Sequence, residues 1–207
     1  MKRLKLVLFP LALGVFVVGA PVAPAGAAGE KAAVPAASPD PAPDAMMAEM
    51  MKLAAPAAEH KGLEAMVGTW HATIRMFTGP GEPMVSEGTM VNTMRFGGRC
   101  LEGRYTGTMM GMMMEGLSLT GFDNQKKEYW AFWTDNTSTS SMMQTGPASA
   151  DGKAIRVKGM AAGPDGKPME YVSTTTLVDA DRHVYTMETT MDGKLVPWME
   201  ITYQRAP

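Results

Sequence analysis

A period-two alternation of apolar and polar residues begins at Trp70 and continues almost to the C-terminus. In its first segment Trp70, Ala72, Ile74 and Met76 alternate with His71, Thr73, Arg75 and Phe77. Such alternation is typical of a β-strand with one buried and one exposed face. Asp-Gly pairs at positions 151–152, 165–166 and 192–193 separate later segments, and Asp-Gly is the strongest local signal for a β-hairpin. The spacing predicts about ten short strands in a meander that closes into a barrel or folds into a sandwich.

The residues before this region divide into three further segments. Residues 1–27 are predicted to be a signal peptide, because three basic residues precede an apolar run and Ala25-Gly26-Ala27 fits a cleavage site. Residues 28–44 are rich in alanine and proline, which favours a disordered linker. Residues 45–66 are predicted to be a short methionine-rich helical segment, and residues 67–206 the barrel domain. We expect an exported protein, periplasmic or extracellular after cleavage near Ala27, that does not span a membrane.

The charge of the mature chain argues against nucleic acid as a partner. Removal of Lys2, Arg3 and Lys5 with the signal peptide leaves 16 Lys and Arg against 21 Asp and Glu. Binding to a phosphate backbone needs a basic face, which this balance does not favour. Cys100 is the single cysteine, so no disulfide can form within the chain, and we interpret it as a small buried apolar residue.

Methionine stands at many positions where leucine or isoleucine would be usual. After residue 27 the sequence has 21 methionines and seven leucines. Met109–Glu115 contains five methionines in seven residues, but adjacent strand residues point to opposite faces and cannot converge on one ion. We therefore interpret most methionines as adaptable packing residues and predict no cofactor. The alternative is a Cu(I) site, because thioethers are soft ligands, and its candidates lie at i, i+4 spacing in the predicted helix: Met46, Met47, Met50 and Met51.

Four motifs resemble one known family. They are EHKGLEAMVGTW, GGRCLEGRYTG, MGMMMEGLSLTGFDNQKKEYWAFWTD and MEITYQR. They are similar to the bacterial domain-of-unknown-function 1579 family, which is calycin-like, and Gly68-x-Trp70 after a short helix is similar to the start of lipocalins. The resemblance covers about Glu59 to Arg205. It implies an all-β fold, an antiparallel up-and-down calycin-like β-barrel of about ten strands with short N-terminal helices, and it supplies no established activity or catalytic residue.

The resemblance also implies how the barrel closes. In lipocalin-like proteins the tryptophan of Gly-x-Trp lies across one barrel end, and a basic residue near the last strand packs over its ring. The matching residues here are Trp70 and Arg205. Because the first and last strands must pair in a closed meander, we expect Arg205 to stack on Trp70 and to donate to carbonyls of the helix that ends near Met66.

The sequence gives little support for catalysis. It contains no zinc-protease, nucleophile-elbow or phosphate-loop motif, and its only histidines are His60, His71 and His183. We interpret His60 as a local helix cap and His71 as facing solvent. Asp123 is predicted to form an Asx turn, and Asp135 to cap a strand end. We therefore expect a protein that is not an enzyme and has no catalytic residue.

A barrel of this strand number is either filled by side chains or encloses one small ligand. We predict that a small lipophilic molecule binds in the barrel cavity. Parity with neighbours expected to face inward gives the candidate lining residues: Tyr105, Met113, Leu117, Tyr129, Trp133 and Tyr185. The alternatives are a periplasmic Cu(I)-binding methionine-rich protein and a structural or interaction module with a filled barrel.

Overall fold

The structure is a computed structural model, which describes residues 43–149, 152–163, 166–191 and 193–207. The predicted signal peptide and residues 28–42 of the predicted linker lie outside the described residues. Helix α1 spans Pro43–Ala54 and so begins inside the segment predicted to be linker. Proline is compatible with the first helical turn, because the N–H that it lacks has no intrahelical partner there. Within the described ranges, no helix has the length and apolar character needed to span a bilayer.

A second helix, α2, spans Ala58–Glu64 and precedes the first strand. The backbone N–H of Ala57 donates to Nδ1 of His60 at 2.9 Å, so His60 caps the helix as predicted. Leu63 on this helix is completely buried, and Met66 just after it is also buried.

Ten antiparallel strands follow and form one closed barrel. They are β1 (Gly68–Met76), β2 (Met84–Arg95), β3 (Cys100–Met109), β4 (Met112–Asp123), β5 (Glu128–Asp135), β6 (Ser141–Pro147), β7 (Ala154–Ala162), β8 (Pro168–Asp179), β9 (Arg182–Met191) and β10 (Lys194–Arg205). Each strand pairs with its neighbours in sequence, and β1 also pairs with β10. The prediction of an all-β, up-and-down barrel of about ten strands is confirmed, and the sandwich alternative is not adopted.

The interior contains two groups of buried side chains. One group includes Leu63 and Met66 with Phe122 and Tyr129, and it lies at the end of the barrel where β1 begins, which we call the α2 end. The other includes Trp70, Ile74, Tyr105 and Ile201, among others, and extends toward the opposite end, which we call the far end. Helix α2 therefore contributes to the barrel core at one end.

Hydrogen bonds fix the turn after α2 to the barrel. The carbonyl of Met66 accepts from Trp70 Nε1 and from Asn92 Nδ2, both at 2.9 Å. Arg205 donates from the last strand to the carbonyls of Val67 and Ala65, at 2.8 and 3.1 Å. These carbonyls belong to the C-cap of α2 and to the two residues after it, and donors from the first, second and last strands satisfy them.

Candidate functional site

A cavity of about 190 Å³ lies inside the barrel. Its wall is mostly apolar and takes residues from both core groups, including Ile74, Met90, Val157, Met187 and Ile201. Among the described residues, no Asp, Glu, Lys or Arg lines it. A concave apolar site with a few polar groups is the usual form of a small-molecule binding site.

One hydrogen-bonded cluster supplies part of the polar surface of this wall. Gln144 Nε2 donates to the carbonyl of Tyr171 at 3.1 Å, and Gln144 Oε1 accepts from Ser173 Oγ at 3.0 Å. The hydroxyls of Ser173 and Tyr185 are 2.8 Å apart. We call Gln144, Ser173 and Tyr185 the polar cluster. Burial raises the pKa of Tyr185 to about 12, so its phenol is neutral at physiological pH.

The polar cluster spans the intervening strand. Gln144 lies on β6, whereas Tyr171 and Ser173 lie on β8, and β7 runs between them. A Cβ on Gly159 of β7 would collide with the backbone carbonyl of Met143 and lie 3.1 Å from the side chain of Gln144. Glycine at this position therefore allows the backbones of β6 and β7 to approach closely beside Gln144.

His183 is a second polar group in the cavity wall. Its ring stacks on Tyr203 and meets Trp70 edge-on, with both centroid distances at 4.4 Å. The residue is only 3 % exposed, and its Nδ1 has no hydrogen-bond partner among the described residues. Burial, and to a smaller extent the positive charge of Arg205, lowers the pKa of His183 to about 4. His183 is therefore a neutral imidazole at physiological pH, with one buried nitrogen that is not hydrogen-bonded.

Three of the six predicted lining residues, Tyr105, Trp133 and Tyr185, line the cavity. Tyr105 reaches the wall from β3, Trp133 from β5 and Tyr185 from β9. Trp133 Nε1 donates to Asp135 at 2.7 Å, which fixes the ring in place. A Cβ on Gly116 would collide with that ring, so glycine in β4 makes room for the tryptophan.

The other three lie elsewhere, and two of them correct the parity assigned to β4. Met113 is 64 % exposed, and Leu117 shares its face, whereas Met114 is buried and Ser118 lines the cavity. The apolar character of both faces of β4 led the prediction to the wrong face. Tyr129 does face the interior, but it packs in the group at the α2 end and donates to the carbonyl of Glu59 at 3.3 Å.

The most polar part of the site was not predicted from the sequence. Gln144, Ser173 and His183 lie on three separate strands, and none belongs to a recognisable motif. Alternation in β8 could have suggested that Tyr171, Ser173 and Thr175 share a face. A face rich in hydroxyl groups, however, is ordinarily interpreted as solvent-facing.

The methionines occupy two different environments. One row of methionine side chains crosses four neighbouring strands at the far end. Its members are successive cross-strand partners: Met187 on β9, Met199 on β10, Met76 on β1 and Met84 on β2. Met187 and Met199 line the cavity. By contrast Met46, Met47, Met50 and Met51, the alternative Cu(I) ligands, are all exposed on α1.

Arg205 lies over Trp70 at the α2 end, where the resemblance placed it. The two residues are partners in the β1–β10 ladder, and the guanidinium carbon is 4.1 Å from the ring centroid. Trp70 is 1 % exposed. A Cβ on Gly68 would lie 2.8 Å from a guanidinium nitrogen, and Gly68 has φ +123°. The Gly-x-Trp pattern therefore has two steric reasons, a positive φ and the close approach of Arg205.

The carboxylates considered in the sequence have structural partners. Asp123 accepts from the backbone N–H groups of Gln125 and Lys126, as an Asx turn requires, and Asp135 accepts from Thr137 as well as from Trp133. Cys100 is buried, and burial raises the pKa of its thiol. In the described part of the chain no three His, Cys, Asp or Glu residues are grouped to hold a metal ion.

The fold and the site define a closed antiparallel barrel of ten strands with a helix packed at one end and an apolar cavity inside. The model of the family described as "Protein of unknown function (DUF1579)" matches residues 55–205, and the chain belongs to that family. A comparison with curated proteins finds no match.

Comparison with solved structures finds similar chains. The crystal structure of Rv2717c from M. tuberculosis is 12 % identical, and the match covers 74 % of this chain and 100 % of that one with a TM-score of 0.55. A redesigned β-barrel, b11L5F_LGL, is 18 % identical over 70 % of this chain and 96 % of its own, with a TM-score of 0.38. Because Rv2717c is only 12 % identical to this chain, its similarity shows the barrel fold alone.

Proposed function

We propose that the protein binds a small, mainly apolar molecule in the barrel cavity. The observation that carries the proposal is the mainly apolar cavity of about 190 Å³, whose wall also holds a few polar groups, among them the polar cluster. The apolar wall would favour most of a ligand through the hydrophobic effect, and a polar group on the ligand could hydrogen-bond to the polar cluster.

Binding is a better proposal than catalysis for the groups in this wall. A general acid or base works best with a pKa near the operating pH, whereas the pKa of His183 is lowered to about 4 and that of Tyr185 is raised to about 12. Asp123 and Asp135 are engaged in turns. We therefore propose that the protein is not an enzyme and carries its ligand unchanged.

We further propose that the protein is exported and that its barrel is calycin-related. The basic and apolar start of the sequence supports export, and the Gly68-x-Trp70 pattern with Arg205 over the ring supports the relationship. The mass of the exported form measures the cleavage site, which we expect near Ala27. An exported form that retains its N-terminal Met would contradict cleavage.

Ligand binding is tested by native mass spectrometry on the purified protein, followed by solvent extraction to identify any retained molecule. We expect an added mass from an apolar compound. Ala131→Phe places a large side chain in the cavity wall, and it should abolish that added mass while the barrel remains folded. Val91→Phe, on the exposed face of β2, is the matched control and should retain the mass.

Titration of the purified protein with added apolar compounds complements the search for a retained ligand, because a ligand can be lost during purification. Trp133 in the cavity wall provides an intrinsic fluorescence signal. If no compound is retained and no apolar compound changes this fluorescence or gives heat on mixing, the proposed function is wrong.

A further inference from the structure

The polar groups of the cavity wall restrict the chemistry of a ligand beyond its apolar character. We infer that the cavity selects an uncharged molecule with one hydroxyl or amide N–H donor, such as an aliphatic alcohol or a phenol, over a carboxylate or an ammonium ion of the same length. This inference rests on the proposed function, since it concerns the same cavity.

The first reason is the absence of charge among the lining residues. No Lys, Arg, Asp or Glu of the described chain lines the cavity. Arg205, which lies just outside, is already engaged with the carbonyls of Ala65, Val67 and Ala180 and with the carboxylate of Asp181. A carboxylate or ammonium group would lose its hydration without gaining a counter-ion, and burial of an unpaired charge is costly.

The second reason is the direction of the hydrogen bonds in the polar cluster. The carbonyl of Tyr171 can only accept, so the nitrogen of the Gln144 amide must face it and the amide oxygen must face Ser173. That oxygen can also only accept, so Ser173 uses its single hydroxyl hydrogen to donate to Gln144.

The direction of these two bonds also determines the role of the Tyr185 hydroxyl. Since Ser173 has no second hydrogen, the 2.8 Å contact between the two hydroxyls requires Tyr185 to donate to Ser173. The phenolic oxygen of Tyr185 then has free lone pairs and no free hydrogen. The polar cluster therefore presents an acceptor at Tyr185, and its complement on a ligand is a donor.

The volume limits the size of the ligand. A dry cavity of about 150 Å³ accommodates benzene. By proportion, a cavity of about 190 Å³ should accommodate on the order of eight non-hydrogen atoms. Octan-1-ol and methyl heptyl ether are close to this size and share one molecular formula, but only the alcohol can donate a hydrogen bond. Octanoate has a similar chain with a negative charge.

The experiment is calorimetric and fluorescence titration of the purified protein with these three compounds at pH 7.5. We expect octan-1-ol to bind most tightly and the ether about fivefold more weakly, since one hydrogen bond is lost. Octanoate should bind roughly a hundredfold more weakly than the alcohol, because its charge is buried without a partner.

Tyr185→Phe removes the acceptor while keeping the ring. In this variant the affinity for octan-1-ol should fall to that for the ether, and the affinity for the ether should not change. Tyr129→Phe is the matched control, since it also removes a hydroxyl from a buried tyrosine but lies in the group at the α2 end. The alcohol should keep its advantage over the ether in this control.

The outcomes separate the inference from the proposed function. Octanoate binding as tightly as octan-1-ol would overturn the exclusion of charge, and equal affinities for alcohol and ether in the unmodified protein would overturn the role of Tyr185. In both cases binding itself, and with it the proposed function, would stand. If none of the three compounds binds and no ligand is retained on purification, the proposed function fails and the inference fails with it. The comparison of the three ligands on the unmodified protein tests the preference for an uncharged donor even if Tyr185→Phe does not fold.

Discussion

At the residue scale, Trp70 links three parts of the molecule. Its indole N–H donates to Met66 after α2, its ring is perpendicular to that of His183 in the cavity wall, and Arg205 from the last strand lies over its face. One side chain therefore joins the helix, the cavity and the closure of the barrel. The guanidinium of Arg205 adds a planar set of donors that lysine could not reproduce.

Removal of either residue should destabilise the α2 end, but to different extents. Trp70→Ala should lower the free energy of unfolding by about 3–5 kcal/mol, because it leaves a large cavity in the core. Arg205→Ala should lower it by about 1–3 kcal/mol, through loss of the cation–π contact and of the hydrogen bonds to the carbonyls of Val67, Ala65 and Ala180. Urea denaturation followed by far-ultraviolet circular dichroism measures both.

Arg75→Ala is the control for this pair. Arg75 is also an arginine on β1, but its ion pair with Glu200 is 3.4 Å long and lies on the exposed face. Its loss should change the free energy of unfolding by less than about 1 kcal/mol. An Arg205→Ala variant as stable as Arg75→Ala would show that the contact with Trp70 contributes nothing.

His183 should make stability depend on pH in the mildly acidic range. Its pKa is about 4 in the folded protein and about 6.5 in an unfolded chain. Between these values the unfolded state binds a proton that the native state does not, so stability is complete above pH 6.5 and is lost as the pH falls toward 4. The shift corresponds to about 3 kcal/mol. Burial also lowers the pKa of His60, which contributes in the same direction.

Comparison of variants isolates the contribution of His183 to the pH dependence of stability. His183→Phe keeps an aromatic ring without a titrating group, and the free energy of unfolding of this variant should fall less between pH 7 and pH 4.5 than that of the unmodified protein. His71→Phe, on the exposed face of β1, should leave the pH dependence unchanged. Identical pH profiles for the two variants would refute the assignment.

At the element scale, β4 shows how a strand uses chemically similar residues differently. Met112 and Met113 are 56 and 64 % exposed, whereas Met114 is buried in the core group that includes Trp70. All three have the same side chain and adjacent positions. The backbone alternation and the distance from the strand end alone determine their environments.

Oxidation should therefore distinguish these three methionines. Under dilute hydrogen peroxide, Met112 and Met113 should form sulfoxides well before Met114, because oxidation of a thioether requires access of the oxidant. Peptide mass spectrometry over a time course measures the order. In urea the three rates should converge, and equal rates in the folded protein would place Met114 outside the core.

At the scale of the whole molecule, closure of the barrel removes both sheet edges, but the ladders are not equally continuous. Seven residue pairs join β1 to β10, from Trp70 with Arg205 to Met76 with Met199. Among the described residues, β6 and β7 are joined in register at Thr145 with Lys158, and an isolated bridge joins Ala148 to Ile155. The seam between β6 and β7 is therefore the least regular part of the barrel wall.

Hydrogen exchange should reveal this difference. Amides in the β1–β10 ladder should be as protected as those of the long internal ladders, because exchange there requires the barrel to open. Amides of β6 and β7 that face the seam should exchange faster, since local opening of a short ladder costs less. Mass spectrometry of peptides from these strands measures both, and rapid exchange throughout β1 and β10 would contradict closure.

The sequence by itself determined the strands, the cap of the second helix and the closing contact. Alternation from Trp70 onward and the capping position of His60 are local features, because each depends on forces within a few residues; the aspartates of the Asp-Gly pairs lie outside the described residues. The family resemblance paired Trp70 with Arg205 because a short, recognisable pattern marks each end of the meander.

Only the tertiary structure decided which side chains face the cavity. In β4 both faces are apolar, so the alternation could not distinguish the outward Met113 from the inward Met114. The inner face is the one that includes Gly116, over which the ring of Trp133 lies. The polar cluster joins Gln144, Ser173 and Tyr185 from three strands, with β7 between the first two. Such contacts depend on the register of non-adjacent strands and on the volume left when the barrel closes, and neither quantity is encoded in the local periodicity of any one strand.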